Sequence, residues 1–102
     1  MEQASEDELS QAAAMADRTG LFSCPQTGVA LAAVKKLAER GVIQSNEKVI
    51  VISTATGLKF TDFKRGYHQG ALPGVLPELT NQPVELQGDY KSVITAITGL
   101  IN

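Results

Sequence analysis

One cysteine, one histidine and no run of lysine or arginine are what this 102-residue sequence offers to metal, redox or nucleic-acid chemistry. A lone Cys24 cannot form an internal disulfide or assemble a cysteine-based metal site, and it suits a reducing compartment. With a formal net charge of −2 and no basic cluster, the chain carries no electrostatic footprint for a nucleic-acid backbone or an anionic membrane. Its longest apolar stretches, such as Val49 to Ile52, fall far short of the roughly 20 residues that span a bilayer. The opening Met1-Glu2-Gln3-Ala4-Ser5-Glu6-Asp7-Glu8 is acidic, whereas a secretory or transit peptide is basic or poor in acids. What remains, 43% apolar and 20% charged residues, is the composition of one small globular domain.

Ser5-Glu6-Asp7-Glu8 has the S-x-x-E pattern of a capping box and precedes an alanine-rich run, which predicts a helix from about Glu6 to Ala16. Asp17-Arg18-Thr19-Gly20 breaks it, and Leu21-Phe22-Ser23-Cys24 is a short apolar loop stopped by Pro25. A second helix begins at Gln26 or Thr27, carries Val29, Ala30, Ala33, Val34 and Leu37 at helical spacing, and ends at Gly41. Lys48-Val49-Ile50-Val51-Ile52-Ser53 is continuously apolar in its middle, as a strand buried on both faces of a parallel sheet is. A short helix is expected over Phe60 to Tyr67, a surface strap over Gly70 to Pro83, and a small edge strand at Val84-Glu85-Leu86. The last helix is capped by Asp89 and runs to about Leu100, with Val93, Ile94, Ile97 and Leu100 facing inward.

These elements predict an α/β fold, yet so apolar a strand needs parallel neighbours on both edges and helices on both faces. The sequence supplies one or two weak candidates. The sheet is therefore expected to be incomplete, as in a piece of a larger α/β domain.

Three blocks carry a family resemblance: Ala16-Asp17-Arg18-Thr19-Gly20-Leu21-Phe22, Cys24-Pro25-Gln26-Thr27-Gly28-Val29-Ala30-Leu31, and Val51-Ile52-Ser53-Thr54-Ala55-Thr56-Gly57-Leu58-Lys59-Phe60. Together with Asn81-Gln82-Pro83-Val84 they resemble the C-terminal region of threonine synthases, most closely the plant-type branch that bacteria also have. The likeness runs from about Ser5 to Val93. It implies the C-terminal portion of the large domain of a tryptophan-synthase-like, fold type II enzyme, with residues 1–102 forming no complete catalytic domain. The implied cofactor is pyridoxal 5'-phosphate, and the implied reaction turns O-phosphohomoserine and water into threonine and phosphate. The compartment would be the cytoplasm in a bacterium and the chloroplast stroma in a plant. The resemblance leaves a homo-oligomer open.

On spacing alone, Thr54 ends a strand and caps the next turn; the resemblance gives its hydroxyl the pyridine nitrogen of the cofactor as a partner. A neutral hydroxyl there leaves the ring nitrogen unprotonated. Thr56 stands where the family has histidine, so any contact made by that histidine is in doubt. His68 lacks a positioned partner and reads as structural or solvated. Cys24 reads as a small buried packing residue, because no base is paired with it. Gly28 suits close approach of either a ligand or a neighbouring backbone. Lys59 reads as a surface or supporting residue, since the family's Schiff-base lysine belongs to upstream sequence, as does its glycine-rich phosphate loop. No catalytic residue is therefore assigned, and the 102-residue chain is expected to be inactive alone. The alternative reading is a non-enzymatic α/β interaction module that completes a partner's sheet along the edges of Val49 to Ile52.

Overall fold

The computed structural model describes residues 1–101. Four α-helices and one 3-10 turn follow in order: α1 over Glu6–Asp17, α2 over Pro25–Glu39, the 3-10 turn over Gly57–Lys59, α3 over Thr61–Gln69 and α4 over Tyr90–Ile101. The expected α/β architecture is overturned, because no strand or sheet forms among the described residues. The one β-type pairing is an isolated antiparallel bridge between Ser23 and Thr56.

Residues 48–55 run without regular structure, and Ile50 and Ile52 stand 91% and 77% exposed. An extended apolar run becomes a strand only when a second backbone lies about 4.8 Å away to take its N–H and C=O groups. No such backbone is brought alongside here. Val84-Glu85-Leu86 is likewise exposed and irregular, for the same reason. The alternative of a sheet-completing module loses its structural basis with the strand.

The helices start and stop where local chemistry dictates. Ser5 accepts the Glu8 amide through Oγ, and Glu8 reaches back to the Ser5 amide at 2.8 Å, so both halves of the capping box form. α2 starts with Pro25 in its first turn, where the missing N–H costs nothing, and Gly41 beyond its end has φ +74°. Asp89 accepts the Ser92 amide at 2.9 Å and caps α4.

Packing is centred on the α1–α2 pair. α2 buries Thr27, Gly28 and Ala32, while the expected Val29, Ala30, Ala33, Val34 and Leu37 face is only partly covered. Small side chains win because they let the helices approach: a Cβ added at Gly28 would lie 2.6 Å from the Leu9 carbonyl oxygen and 3.2 Å from the Ala13 Cβ. This resolves Gly28 in favour of a neighbouring backbone. A second small cluster joins Ala14, Tyr67 and Val75, with Leu72 and Leu79 against it. Here the strap is pinned to α1 and α3. Tyr67 donates to Gln11 Oε1 at 2.6 Å and accepts the Leu79 amide at 3.1 Å, while Gln11 Nε2 donates to the Leu76 carbonyl at 2.6 Å. α4 buries none of its residues, so Val93, Ile94, Ile97 and Leu100, expected inward, lie exposed.

Candidate functional site

The polypeptide entering α2 and the segment entering the 3-10 turn lie side by side. The Ser23–Thr56 bridge and a 2.9 Å hydrogen bond from the Gly57 amide to the Phe22 carbonyl hold them together. Gly57 is needed at this crossing, because a Cβ there would fall 2.8 Å from the Lys64 Cε and 2.9 Å from the Phe22 ring. Beneath it, the Lys64 ammonium donates to both Asp17 oxygens at 2.7 and 2.9 Å and sits 4.7 Å from the Phe22 ring centroid. The base of the crossing is thus fixed by a largely enclosed ion pair.

Above it, Cys24 occupies the N-cap position of α2 and is fully buried, as the sequence suggested for a packing residue. Its sulfur lies 3.2 Å from Thr27 Oγ1, and Thr27 in turn donates to Ser53 Oγ at 3.3 Å. The Thr27 side chain lowers the Cys24 thiol first and most, outweighing burial, which acts the other way. The Thr27 and Ala55 amides and the Thr54 hydroxyl add to the effect, and the thiol falls from an ordinary 9.0 to about 7. Thr54 is exposed on the outer rim of this cluster, one residue beyond Ser53. Ser23 Oγ is buried beside Cys24 in sequence and has no hydrogen-bond partner among the described residues.

Thr56, where the resemblance expects histidine, accepts the Leu58 amide at 3.3 Å and caps the 3-10 turn. Its hydroxyl has a local structural task. His68 accepts the Asn81 amide at Nδ1 over 3.0 Å and meets the Tyr67 ring edge-on, which ties α3 to the end of the strap. Lys59 is exposed. The sequence reading singled out Thr54 for the cofactor and Cys24 for packing; the burial of Cys24 agrees with the latter, and the Thr27–Ser53 link beside them was missed. Only the Cys24–Thr27 half had a local signal, a threonine three residues after an N-cap; the link on to Ser53, 26 residues away, had none.

A concavity of about 560 Å³ lies elsewhere, along α1 and α2 between Gln11, Met15, Leu31 and Leu79. Neither Cys24, Thr27 nor Thr54 lines it, so it is a groove on the helix pair rather than part of this cluster. Among the described residues no group of His, Cys, Asp and Glu could hold a metal ion, and no helix is long and apolar enough to cross a membrane.

No family model matches the chain. Among the curated proteins the chain is similar to threonine synthase 2, chloroplastic, of Arabidopsis thaliana, 45% identical over 97 residues, which cover 95% of this chain and 19% of that protein. The chain is homologous to a C-terminal segment of threonine synthase, and it spans only that 19% of the relative's length.

Proposed function

We propose that this chain serves as the C-terminal segment of a pyridoxal-phosphate-dependent threonine synthase, which converts O-phosphohomoserine and water to threonine and phosphate. The identity to the plant relative over nearly the whole chain supports this. The observation that carries the site reading is the exposed Thr54 hydroxyl beside the buried Cys24–Thr27 pair, which Thr27 links to the exposed Ser53. These residues fit one edge of the cofactor. The donor set is one of neutral hydroxyls, suited to a pyridine nitrogen that stays unprotonated. They supply that edge only: Lys64 is committed to Asp17, and Lys36 to Glu8 and the Gln3 carbonyl, and by the resemblance the lysine that binds the cofactor covalently belongs to upstream sequence rather than to the exposed Lys59.

When bound, pyridoxal phosphate supplies the electron sink for the reaction. In that setting Thr54 orients the ring by its nitrogen edge, and the α2 N-terminus supports the segment that carries Thr54. Upstream polypeptide holds the reactive lysine and the phosphate. The site operates in the cytoplasm of a bacterium or the chloroplast stroma of a plant.

The test uses a threonine synthase of full length with this chain as its C-terminal segment. Thr54→Val keeps the side-chain shape and removes the hydroxyl, so cofactor absorbance should show continued occupancy while turnover of O-phosphohomoserine falls. Thr54→Asp should favour a protonated ring nitrogen and change the cofactor spectrum. Wild-type kinetics and spectra in both variants would return Thr54 to an ordinary segment-end residue. The 102-residue chain alone should release no phosphate from O-phosphohomoserine above a protein-free control.

A further inference from the structure

We infer that Thr27 is a positioning residue for Thr54: its buried hydroxyl ties the first turn of α2 to Ser53 and thereby fixes where the Thr54 hydroxyl stands. This rests on the cofactor-edge role proposed for Thr54.

Residues 48–55 have no helix or sheet to hold them. Among the described residues, no backbone–backbone hydrogen bond of ordinary geometry begins or ends within them, and the Ser23–Thr56 bridge starts one residue further on. Besides the contacts of the Thr54 hydroxyl and the Ala55 amide with the Cys24 sulfur at the α2 cap, the side-chain bond from Thr27 Oγ1 to Ser53 Oγ ties this run to the helix itself. At 3.3 Å it is long for an O–H···O bond, and it contributes little to overall stability. Its weight is positional, because the neighbouring residue is Thr54.

The donor end of the bond is rigid where the acceptor end is not. Thr27 is 2% exposed and lies in the first turn of α2, next to Gly28, where α2 presses on the Leu9 carbonyl of α1. A hydroxyl has one proton and two lone pairs. While the Cys24 thiol is protonated, Thr27 donates to Ser53 and accepts from the sulfur at 3.2 Å. Once the thiolate forms, the single Thr27 proton turns to the sulfur and the Ser53 hydroxyl donates to Thr27 instead, so one side chain joins the helix cap to the exposed segment in either state. Valine at this position would fill the same space and leave both neighbours without the link. Serine would retain it.

The experiment compares Thr27→Val, Thr27→Ser, Ser53→Ala and Thr54→Val in the full-length enzyme with this chain as its C-terminal segment, loaded with pyridoxal phosphate. The readouts are absorbance and fluorescence of the bound cofactor, with kcat and KM for O-phosphohomoserine measured separately. Thr27→Val should shift the cofactor spectrum in the same direction as Thr54→Val and lower kcat by about 2- to 10-fold, the range of one lost hydrogen bond, with KM little changed. Thr27→Ser should restore both. Ser53→Ala, a change at an exposed residue that leaves α2 untouched, should reproduce the shift even if Thr27→Val loads cofactor poorly. A wild-type spectrum in Ser53→Ala or Thr27→Val, beside a shifted one in Thr54→Val, overturns the positioning role while the Thr54 reading stands. An unshifted Thr54→Val, or no cofactor binding by the unsubstituted protein, removes the Thr54 reading and this inference with it.

Discussion

Replacing Asp17 with asparagine keeps the side chain's shape and takes one charge from a pair that the fold largely encloses. The Lys64 and Asp17 side chains are only 9% and 16% accessible, and the ammonium touches both carboxylate oxygens. Asp17 Oδ1 also accepts the Ser23 amide at 3.3 Å, so the same carboxylate holds the loop leading into α2. Breaking a buried pair by removing one partner costs about 3–5 kcal/mol, because the remaining charge is left without compensation. Asparagine retains one carbonyl acceptor and the site is not wholly sealed, which places the expected loss nearer about 2–3 kcal/mol. For a chain of this size that corresponds to a fall in Tm of roughly 8–24 °C. Urea unfolding followed by circular dichroism measures it, with Glu39→Gln as the reference. The Lys35–Glu39 pair of α2 is 64% exposed at both side chains, and its loss should cost under about 0.5 kcal/mol. Adding Lys64→Met to Asp17→Asn should recover most of the loss, since the uncompensated charge is gone. If Asp17→Asn costs no more than Glu39→Gln, or the double variant is no more stable than the single one, the enclosed-pair argument is wrong.

Gly28→Ala should destabilise by about 1–3 kcal/mol despite alanine's better helix propensity, because the new methyl meets the Leu9 carbonyl at 2.6 Å; a rise in the urea midpoint would contradict this. Glu8 is held below the ordinary carboxylate range by the Ser5 amide and then by Lys36, so its contribution to α1 is present above that range and fades as pH falls through the lowered value. Glu8→Gln should lose this acid-side dependence of helicity, and an unchanged profile would count against the capping role. Cys24 titrates near 7 in the folded chain against 9.0 ordinarily, so between these values the unfolded chain binds more protons and stability rises with pH. Cys24→Ser should flatten that rise in unfolding measured from pH 7 to 9, and an equal slope in both proteins would refute the assignment.

How much of this was legible in the sequence depends on how local the physics is. The Ser5–Glu8 box, the left-handed Gly41 after α2 and the Asp89 cap each involve residues a few positions apart, and each appears where the sequence placed it. The strand did not form, because Val49 to Ile52 specifies an apolar extended segment but not the second backbone that would make it a strand. The inward face of α2 was misread for a related reason. Periodicity picks out large apolar residues, whereas close helix packing selects Thr27, Gly28 and Ala32. The candidate site divides in the same way: Thr54 was singled out through a contiguous block, but Thr27 and Ser53 are 26 residues apart, and nothing in either one's neighbours announces the other.

The burial pattern bears on what surrounds Thr54. Although 43% of the sequence is apolar, the core proper is small, and Tyr67 and Val75 are among its few sizeable members. Ile50 and Ile52, just before Thr54, stand open together with the apolar face of α4. Scattered exposed apolar residues are ordinary, but a run of them leading to an exposed hydroxyl is not what solvent alone favours. The aligned region is 19% of the plant relative, so most of a polypeptide of that length lies outside the alignment. Enclosure by further polypeptide would dry the surroundings of Thr54 and strengthen a hydrogen bond from its hydroxyl, since such bonds are worth more where water does not compete. The exposed rim and its apolar approach therefore support the reading of this segment as one wall of a larger site, with Cys24, Thr27 and Ser53 bracing the wall from behind.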